Sequence, residues 1–515
     1  MENVNPQSSW LTTLGKFTHP RVVTMLFLGF SAGIPILLIF SSLSLWLREA
    51  GVERAAVTYF SWAALGYSFK FVWAPLVDQL PLPWLSRVLG RRRAWMLVAQ
   101  FAIIAAIVLM ASIDPKASDY SLTLMALAAV LLGFSSATQD IVIDAYRIES
   151  AESELQALLS ATYIAGYRIG MLVAGAGSLY LAASFGSTSD AYSYQAWQYT
   201  YWLMAAAMLV GIVTTLIIDE PETKAASPFI DSTREYIRFM ALFVVVVAGF
   251  VGCFYLAGDA ARSAKSLLTE LFANRYLAGF LIECLRLAIA IGVGGALAFA
   301  LVKVEFVSYE MVNRSYLMPV RDFFRRYGLS LAWMLLVLIG FYRISDIVLG
   351  VIANVFYQDL GFSKIEIALV SKTFGLLMTI VGGFAGGLLA MRFGVMRILF
   401  LGALLSAATN LLFMLLASVG HDMMWLYIVI SADNISAGLA SAAFIAFLSS
   451  LTNISFTATQ YAIFSSLMTL LPKVIGGYSG SMVDSIGYPV FFLLTALMGI
   501  PVLLLIVYAA RRYRW

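Results

Sequence analysis

Long apolar runs alternate with short polar or basic segments along the whole chain. A run of about 20 apolar residues is long enough to cross a bilayer as an α-helix. Fourteen such runs lie near 22–47, 55–77, 94–113, 121–146, 157–184, 197–218, 237–258, 277–302, 331–356, 364–390, 398–418, 423–448, 458–483 and 488–509. The pattern predicts an all-α polytopic membrane protein with about fourteen transmembrane helices.

Lysine and arginine are distributed unequally between the two sides of these predicted helices. Twenty of them fall on the side of the N-terminus and seven on the opposite side. Since cytoplasmic loops carry the excess of basic residues, we expect both chain termini in the cytoplasm. The composition agrees, with 61% hydrophobic and 12% charged residues. The net charge of +4 is explained by these loops and requires no nucleic-acid partner.

The two halves of the chain resemble each other. The second apolar run ends in KFVWAPLVDQ and is followed by GRRR, and GGFAGGLLAMRFGVMR occupies the equivalent place in the second half. The fifth run carries GYRIGMLVAGAG, whose glycines allow close helix packing, and its late counterpart carries PKVIGGYSG. Internal repeats of this kind are typical of transporters. The predicted segments are a cytoplasmic tail over 1–20, a six-helix bundle over 21–222, an inserted two-helix hairpin over 223–302, a cytoplasmic linker over 303–328 and a second six-helix bundle over 329–515.

Several charged residues fall inside the predicted membrane helices. A charge at the middle of the bilayer costs at least roughly 2.5–3.5 kcal/mol, so these side chains must pair with one another or face water. Their distribution over both halves predicts a polar cavity at the centre of the bundle. The residues are Lys70, Asp140, Asp144, Arg168, Glu283, Arg286, Arg343, Asp346, Lys372, Asp433 and Lys473.

The fourth predicted helix carries a stripe of polar residues. Ser136, Asp140, Asp144 and Arg147 follow one another at steps of three or four, which places them on one helix face. Asp144 lies one turn from Arg147 and can form a structural ion pair with it. Asp140 has no cation at such a distance, and a carboxyl group short of partners at low dielectric can bind a proton at neutral pH. We therefore interpret Asp140 as a proton-coupling or substrate-binding residue.

The second half contains similar candidates. Arg343 and Asp346 are three residues apart and can pair within one helix. Asp433 holds in this half the place that Asp140 holds in the first. Arg168 and Lys473 lie in matching helices without an acid one turn away. Each of these two cations can therefore bind an anionic group of a substrate or lock two helices together.

Signatures of enzymes are absent from the sequence. The two histidines lie in a tail and a loop, and no phosphate-binding loop, nucleophile elbow or zinc motif occurs. We predict neither catalytic activity nor a cofactor or metal site. Tyr67 and Tyr167 lie beside Lys70 and Arg168, where they could stack on sugar rings.

The loop after the second helix resembles a motif of the major facilitator superfamily. In that motif an aspartate precedes a basic cluster, which here corresponds to Asp78 followed by Arg91, Arg92 and Arg93. The resemblance implies that Asp78 pairs with Arg147 and holds the halves together as a cytoplasmic gate. The general excess of basic residues in cytoplasmic loops would explain the three arginines equally well. The superfamily fold has six plus six helices, and an inserted hairpin completes the fourteen.

Longer stretches of the sequence are distinctive, namely FLGFSAGIPILL, FKFVWAPLVD, SATQDIVIDAYR, GYRIGMLVAG, SKTFGLLMTIVG and SFTATQYAIFSSL. They are similar to the AmpG family of muropeptide permeases from Gram-negative bacteria, and the resemblance covers nearly the whole chain except the hairpin. It implies a monomeric proton symporter of the bacterial inner membrane. The substrates would be N-acetylglucosaminyl-1,6-anhydro-N-acetylmuramyl peptides, imported from periplasm to cytoplasm for peptidoglycan recycling and β-lactamase induction.

The resemblance also suggests roles for individual residues. The expected proton-coupling residues are Asp140, Asp144, Asp346 and Asp433, and those of the substrate cavity are Tyr67, Lys70, Gln139, Tyr167, Arg168, Arg343, Lys372 and Lys473. Two alternatives remain open at this point. The chain could carry another bulky anion, such as an acyl-CoA or a lipid-linked sugar, or it could be a receptor or enzyme built on a transporter scaffold.

Overall fold

The computed structural model describes residues 15–52, 67, 69–188, 191–221, 233–272, 275–476 and 479–512. Every regular element in these ranges is a helix. Eleven of the described helices are long and apolar enough to cross a membrane. The all-α, multi-pass class is therefore confirmed. The count of fourteen and the orientation stay predictions, and most of the second predicted helix lies outside the described residues.

The described residues of the first half form ten α-helical segments, several of which belong to one membrane span. Three of them begin at a side chain that accepts a hydrogen bond from the first turn, as Ser118 does from the Ser121 amide at 3.1 Å. The segments are α1 (Pro20–Leu37), α2 (Leu43–Glu49), α3 (Ala74–Gln79), α4 (Leu85–Leu89), α5 (Arg91–Ala111), α6 (Asp119–Glu149), α7 (Ser153–Leu172), α8 (Ser178–Ser184), α9 (Tyr194–Ala207) and α10 (Leu209–Ile217).

The inserted residues form a helical pair with a third helix at its tip. The helices are α11 (Thr233–Leu256), α12 (Gly258–Phe272) and α13 (Arg275–Lys303). α11 packs along α13, and its phenylalanines reach the transport bundle, where the Phe250 ring lies 5.2 Å from that of Phe69. The insert thus rests on the residue that precedes Lys70 in the second span.

The second half contains the helices α14 (Tyr309–Val312), α15 (Met318–Phe341), α16 (Ile344–Asp359), α17 (Lys364–Ile367), α18 (Gly375–Phe393), α19 (Val395–Val419), α20 (Met423–Leu451), α21 (Thr457–Gly476), α22 (Ser479–Leu497) and α23 (Gly499–Arg512). The predicted linker is largely helical. α14 and the start of α15 occupy it, and α15 bends at Gly328, whose φ of 71° is non-helical. The predicted span 331–356 is likewise divided, because the chain leaves helical geometry at Arg343, the residue immediately before α16.

Glycines with positive φ occupy equivalent turns in the two halves. Gly51 and Gly361, with φ of 87° and 89°, end the first span of each half. Gly90 and Gly394, with φ of 88° and 90°, begin the third. L-residues with side chains rarely adopt this backbone region, so the same turns are built twice from glycine. This repetition agrees with the predicted duplication.

Close helix packing holds each half together and joins the two. A Cβ atom on Gly166 would lie 2.0 Å from the Leu26 carbonyl oxygen, and one on Gly170 would lie 2.2 Å from that of Phe30. The predicted packing role of these glycines is therefore confirmed for the pair α1 and α7. Between the halves, α7 contacts α18 and α20, while α21 contacts α3 and α6. These two seams enclose the centre of the molecule.

Candidate functional site

The polar stripe of α6 faces the interior, as its spacing predicts. Asp144 lies between two cations, at 3.5 Å from the Lys70 ammonium and 3.4 Å from the Arg147 guanidinium. Lys70 reaches this position because the second span leaves α-helical geometry there and passes through a short 3₁₀ turn. All three side chains are buried. Asp144 therefore belongs to a buried ion-pair network that connects the second and fourth spans.

Asp140 lies one turn deeper than Asp144 and is less well compensated. It is 8% exposed, and its Oδ1 atom has no hydrogen-bond partner among the described residues. Its charged neighbours are Lys70 and Asp144. A buried carboxyl group without hydrogen bonds is costly in its ionised form. Asp140 is therefore the less compensated carboxylate of the two on this helix face.

Three residues predicted for the substrate cavity gather around Asp140. The Tyr67 hydroxyl donates to Ser136 Oγ at 2.7 Å, and Tyr167 lies close to the Asp140 carboxyl. Gln139 is fully buried and accepts a hydrogen bond from Ser31 Oγ of α1 at 3.0 Å. Gln139 therefore joins α6 to α1 and contributes to helix packing in this conformation.

The equivalent region of the second half holds another set of charges. Arg343 pairs with Asp346 at 2.9 Å and donates to Ser441 Oγ at 2.9 Å. Asp433, on α20, accepts a long hydrogen bond of 3.5 Å from Thr409 on α19. The predicted contact between Arg343 and Asp346 is present, although it lies at the break before α16 and not in mid-helix. Asp433 is the less compensated carboxylate of this set.

A cavity of about 660 Å³ lies between the halves, on the side where α2, α8 and α16 end. Ligand sites of about 300–1,000 Å³ are usual for small molecules. Arg168, Arg343 and Lys372 line it together with Asp346 and Asp433. The cavity therefore combines cations from both halves with the two carboxylates of the second half.

Two of these cations lack an acidic partner. No described carboxylate lies within ion-pair distance of Arg168 or Lys372. The Arg168 guanidinium is 3.8 Å from the Met171 sulfur, which neutralises no charge. Cations that line a cavity without a neighbouring acid favour an anionic ligand. The side chain of Lys473, predicted to act with Arg168, lies outside the described part of the structure.

The halves are joined on the opposite side by a buried polar latch around Asp78. One carboxylate oxygen accepts from the amide of Ala458 at 3.0 Å, and the other from the amide and the hydroxyl of Thr459, both at 2.7 Å. Asp78 thereby caps the start of α21, a helix of the other half. Anions stabilise helix N-termini. The interaction closes this end of the molecule.

The predicted pairing of Asp78 with Arg147 is wrong. Asp78 pairs with Arg92 at 2.9 Å, because the turn at Gly90 brings the start of α5 over it. Arg147 instead donates to Ser449 of the second half at 2.7 Å. It therefore still joins the halves, through a hydroxyl and not through Asp78.

The other two arginines of the cluster have different positions. Arg91 donates to the backbone carbonyl of Asp78. Arg93 donates to the carbonyls of Thr215 and Leu216 at 3.0 and 2.8 Å, which satisfies the end of α10. Arg91 and Arg92 thus lie at the latch, whereas Arg93 ties two helices of the first half together.

Sequence reasoning missed several acceptors in this region. Glu149 accepts from Arg92 Nε at 2.9 Å, and Glu220 accepts from the amides of Arg92 and Arg93 at 2.7 and 3.0 Å. Both acids lie at ends of apolar runs, where the sequence does not distinguish them from solvated loop residues. Thr459 carried no such signal either, since a threonine in the first turn of a helix does not indicate a partner in the other half.

Comparison with known proteins agrees with this architecture. The sequence model of the Major Facilitator Superfamily matches residues 22–342. A putative transporter AmpG 4 of Rickettsia conorii is 30% identical over 96% of this chain and 97% of its own length. The anhydromuropeptide permease of Escherichia coli K12 is 28% identical over 95% of this chain and 80% of its own.

Solved structures show the same fold at low sequence identity. The proton:xylose symporter XylE superposes with a TM-score of 0.56 at 11% identity, covering 96% of this chain and 95% of its own. The transporter FucP in its outward conformation superposes with a TM-score of 0.54 at 13% identity, covering 97% of this chain and 100% of its own. The chain is a multi-pass membrane transporter and not an enzyme, as predicted. It belongs to the AmpG family of the major facilitator superfamily.

Proposed function

We propose that this transporter imports muropeptides from the periplasm across the bacterial inner membrane, coupled to protons, and so serves peptidoglycan recycling. The observation that carries the proposal is the set of uncompensated charges along the pathway. Among the described residues, no carboxylate lies within ion-pair distance of Arg168 or Lys372 in the cavity, and the buried Asp140 Oδ1 has no hydrogen-bond partner. Relatives that include an anhydromuropeptide permease support the choice of substrate class.

The substrate chemistry fits the cavity. A muropeptide carries carboxylates on its stem peptide and hydroxyl and amide groups on its sugars. The Arg168 guanidinium can hold a carboxylate through two parallel hydrogen bonds, and Lys372 adds a second positive charge from the other half. A ligand bound by both cations would draw the two halves together, which is the motion that alternating access requires.

The proton would bind at Asp140. The site lies in the first half at the level of Lys70 and Asp144, apart from the cations that face the ligand. Protonation removes the uncompensated charge and leaves Lys70 paired with Asp144 alone. Asp433 is the corresponding candidate in the second half. In this proposal the cations bind the substrate, and the unpaired carboxyl groups bind the proton that drives transport.

The conformation in the structure corresponds to one state of the transport cycle. With the predicted orientation, the latch at Asp78 closes the cytoplasmic side and the cavity faces the periplasm. An importer in this state is ready to receive substrate. Release into the cytoplasm would require α21 to leave Asp78, so that the seam between α21 and α3 opens.

The test is uptake of labelled GlcNAc-anhydroMurNAc-peptide into proteoliposomes, with and without an inward proton gradient. We expect stimulation by the gradient in the wild type. Asp140→Asn should lose the stimulation but retain exchange of labelled for unlabelled substrate, because exchange needs no net proton movement. Arg168→Gln should raise KM by about 10- to 100-fold, as expected for a lost charge-assisted hydrogen bond.

The exposed pair Asp259 and Arg262 on α12 supplies matched controls. Asp259→Asn and Arg262→Gln make the same chemical changes outside the pathway and should leave uptake unchanged. Uptake by Asp140→Asn that still follows the gradient would remove the coupling role. Absence of muropeptide uptake by folded wild-type protein would refute the substrate, and transport of an acyl-CoA or lipid-linked sugar would then replace it.

A further inference from the structure

A second cavity lies where the insert meets the transport bundle. Its volume is about 420 Å³. One wall is formed by Phe71 and Val72 of the second span and another by the helices α11 and α13 of the insert. The linker between the halves closes the third side through Tyr309 and Tyr316. Neither the transport site nor the latch uses any of these residues.

The cavity has the shape and depth of a lipid site. Its lining on α13 extends from Ile291 to Val302, which is about 16 Å along the axis at 1.5 Å per residue. One leaflet of a bilayer core is about 15 Å thick, half of the usual 30 Å. The groove therefore follows α13 through one leaflet, in the direction in which a lipid chain lies.

The end of the groove has the polarity of a membrane interface. Lys303 follows Val302 and is exposed at the end of α13. Tyr309, which follows Lys303 closely in the sequence, lines the groove and is exposed, and the Tyr316 hydroxyl donates to the Val72 carbonyl at 3.2 Å. Tyrosine and lysine at this depth are typical of the headgroup region. The rest of the lining is hydrocarbon, apart from the backbone at two glycines.

We propose that this groove holds an acyl chain of a phospholipid whose phosphate lies beside Lys303. A lipid chain is favoured over a polar ligand because the lining offers hydrocarbon along its length and a cation only at its end. A single hydrocarbon chain fits the length of about 16 Å. The lipid would fill the joint between the insert and the second span, next to the break at Lys70.

Glycine positions on α13 allow a direct test. Gly295 lines the groove, and a Cβ atom there would meet no other atom within 4 Å. Gly292 is equally open but does not line the groove. Gly295→Phe therefore fills the site, and Gly292→Phe makes the same change on the same helix outside it. Gly295→Leu is a milder second variant in case the phenylalanine impairs folding.

Purified protein would be loaded with phosphatidylglycerol and analysed by native mass spectrometry while detergent is stripped from it. We expect one phospholipid to survive on the wild type and on Gly292→Phe at collision energies that remove the others. At least tenfold less should remain on either Gly295 variant. Added phosphatidylglycerol should raise the melting temperature of the wild type and of Gly292→Phe more than that of the Gly295 variants. Equal retention by all four proteins, or equal loss from the Gly292 and Gly295 variants, would overturn the proposal.

Discussion

Asp78→Asn is the substitution that tests the closed latch most directly. The side chain keeps its size but loses its negative charge and one of its two strong acceptor oxygens. In the structure these oxygens accept three hydrogen bonds from the start of α21, of 2.7–3.0 Å. Arg92 keeps a second acid, Glu149, so the first half should retain its fold.

The size of the effect follows from the hydrogen bonds and the charge that the substitution removes. A hydrogen bond to a charged group contributes about 1.5–3 kcal/mol, and the charge adds about 0.3–1 kcal/mol at a helix N-terminus. Together the closed state is destabilised by about 2–4 kcal/mol. Because the hydrogen bonds to α21 are absent once the gate has opened, their loss destabilises the closed state alone, whereas the loss of the ion pair between Asp78 and Arg92 within the first half affects both states. At about tenfold per 1.4 kcal/mol, the equilibrium shifts about 30- to 700-fold toward opening.

The shift of the equilibrium toward the open state can be measured by the accessibility of a cysteine at the seam between α7 and α18. Ala157 is 2% exposed, and its carbonyl lies where a Cβ atom on Gly387 of α18 would be only 2.9 Å away. In a protein whose Cys253 and Cys284 are replaced by alanine, Ala157→Cys should react slowly with a maleimide. Adding Asp78→Asn should raise the labelling rate at least tenfold.

Two further variants make the measurement specific. Thr459→Val removes one of the three hydrogen bonds and should increase labelling less, with an effect that largely vanishes on top of Asp78→Asn. Asp422 caps α20 through the Trp425 amide at 3.0 Å, within the second half alone. Asp422→Asn is thus the same chemical change at a helix N-terminus that crosses no seam. Faster labelling by Asp422→Asn, or an unchanged rate in Asp78→Asn, would refute the latch.

Other predictions concern packing, the linker and the second-half charges. Gly382→Ala should lower the melting temperature by several degrees, since its Cβ would lie 2.1 Å from a backbone oxygen, whereas Gly252→Ala meets no atom and should not. Gln460→Ala should make the linker more sensitive to protease, because it removes two hydrogen bonds of 2.8 and 2.9 Å to it. Asp346→Asn should tighten binding of an anionic substrate, since it removes the acid that pairs with Arg343 at 2.9 Å; weaker binding would contradict this assignment.

Local features of the fold were predictable from the sequence. Apolar runs of the right length predicted the membrane spans, and spacing of three residues predicted the contacts of Asp144 with Arg147 and of Arg343 with Asp346. Each of these depends on residues close in sequence, which meet along one helix or, for Arg343 and Asp346, at its first turn. The packing role of Gly166 was predictable for a similar reason, because glycine is required wherever backbones approach closely.

Contacts between distant helices were not predictable. Asp78 meets Thr459 across 381 residues, and no periodicity specifies the register of one helix against another. The 3₁₀ turn at Lys70 also escaped prediction, since the flanking residues are as apolar as those of an unbroken span. That turn moves Lys70 toward Asp144, and so decides that Asp144 is paired while Asp140 is not.

The latch and the linker act on the same short stretch of α21. Thr459 binds Asp78 of the first half, and the next residue, Gln460, donates to the Pro319 carbonyl and to Asp322 of the linker helix. Adjacent residues on one helical turn cannot move independently. When α21 withdraws from Asp78, it must therefore carry the linker with it or break the hydrogen bonds of Gln460. The segment that connects the halves is for this reason a mechanical part of the gate, and its helical order follows from that attachment.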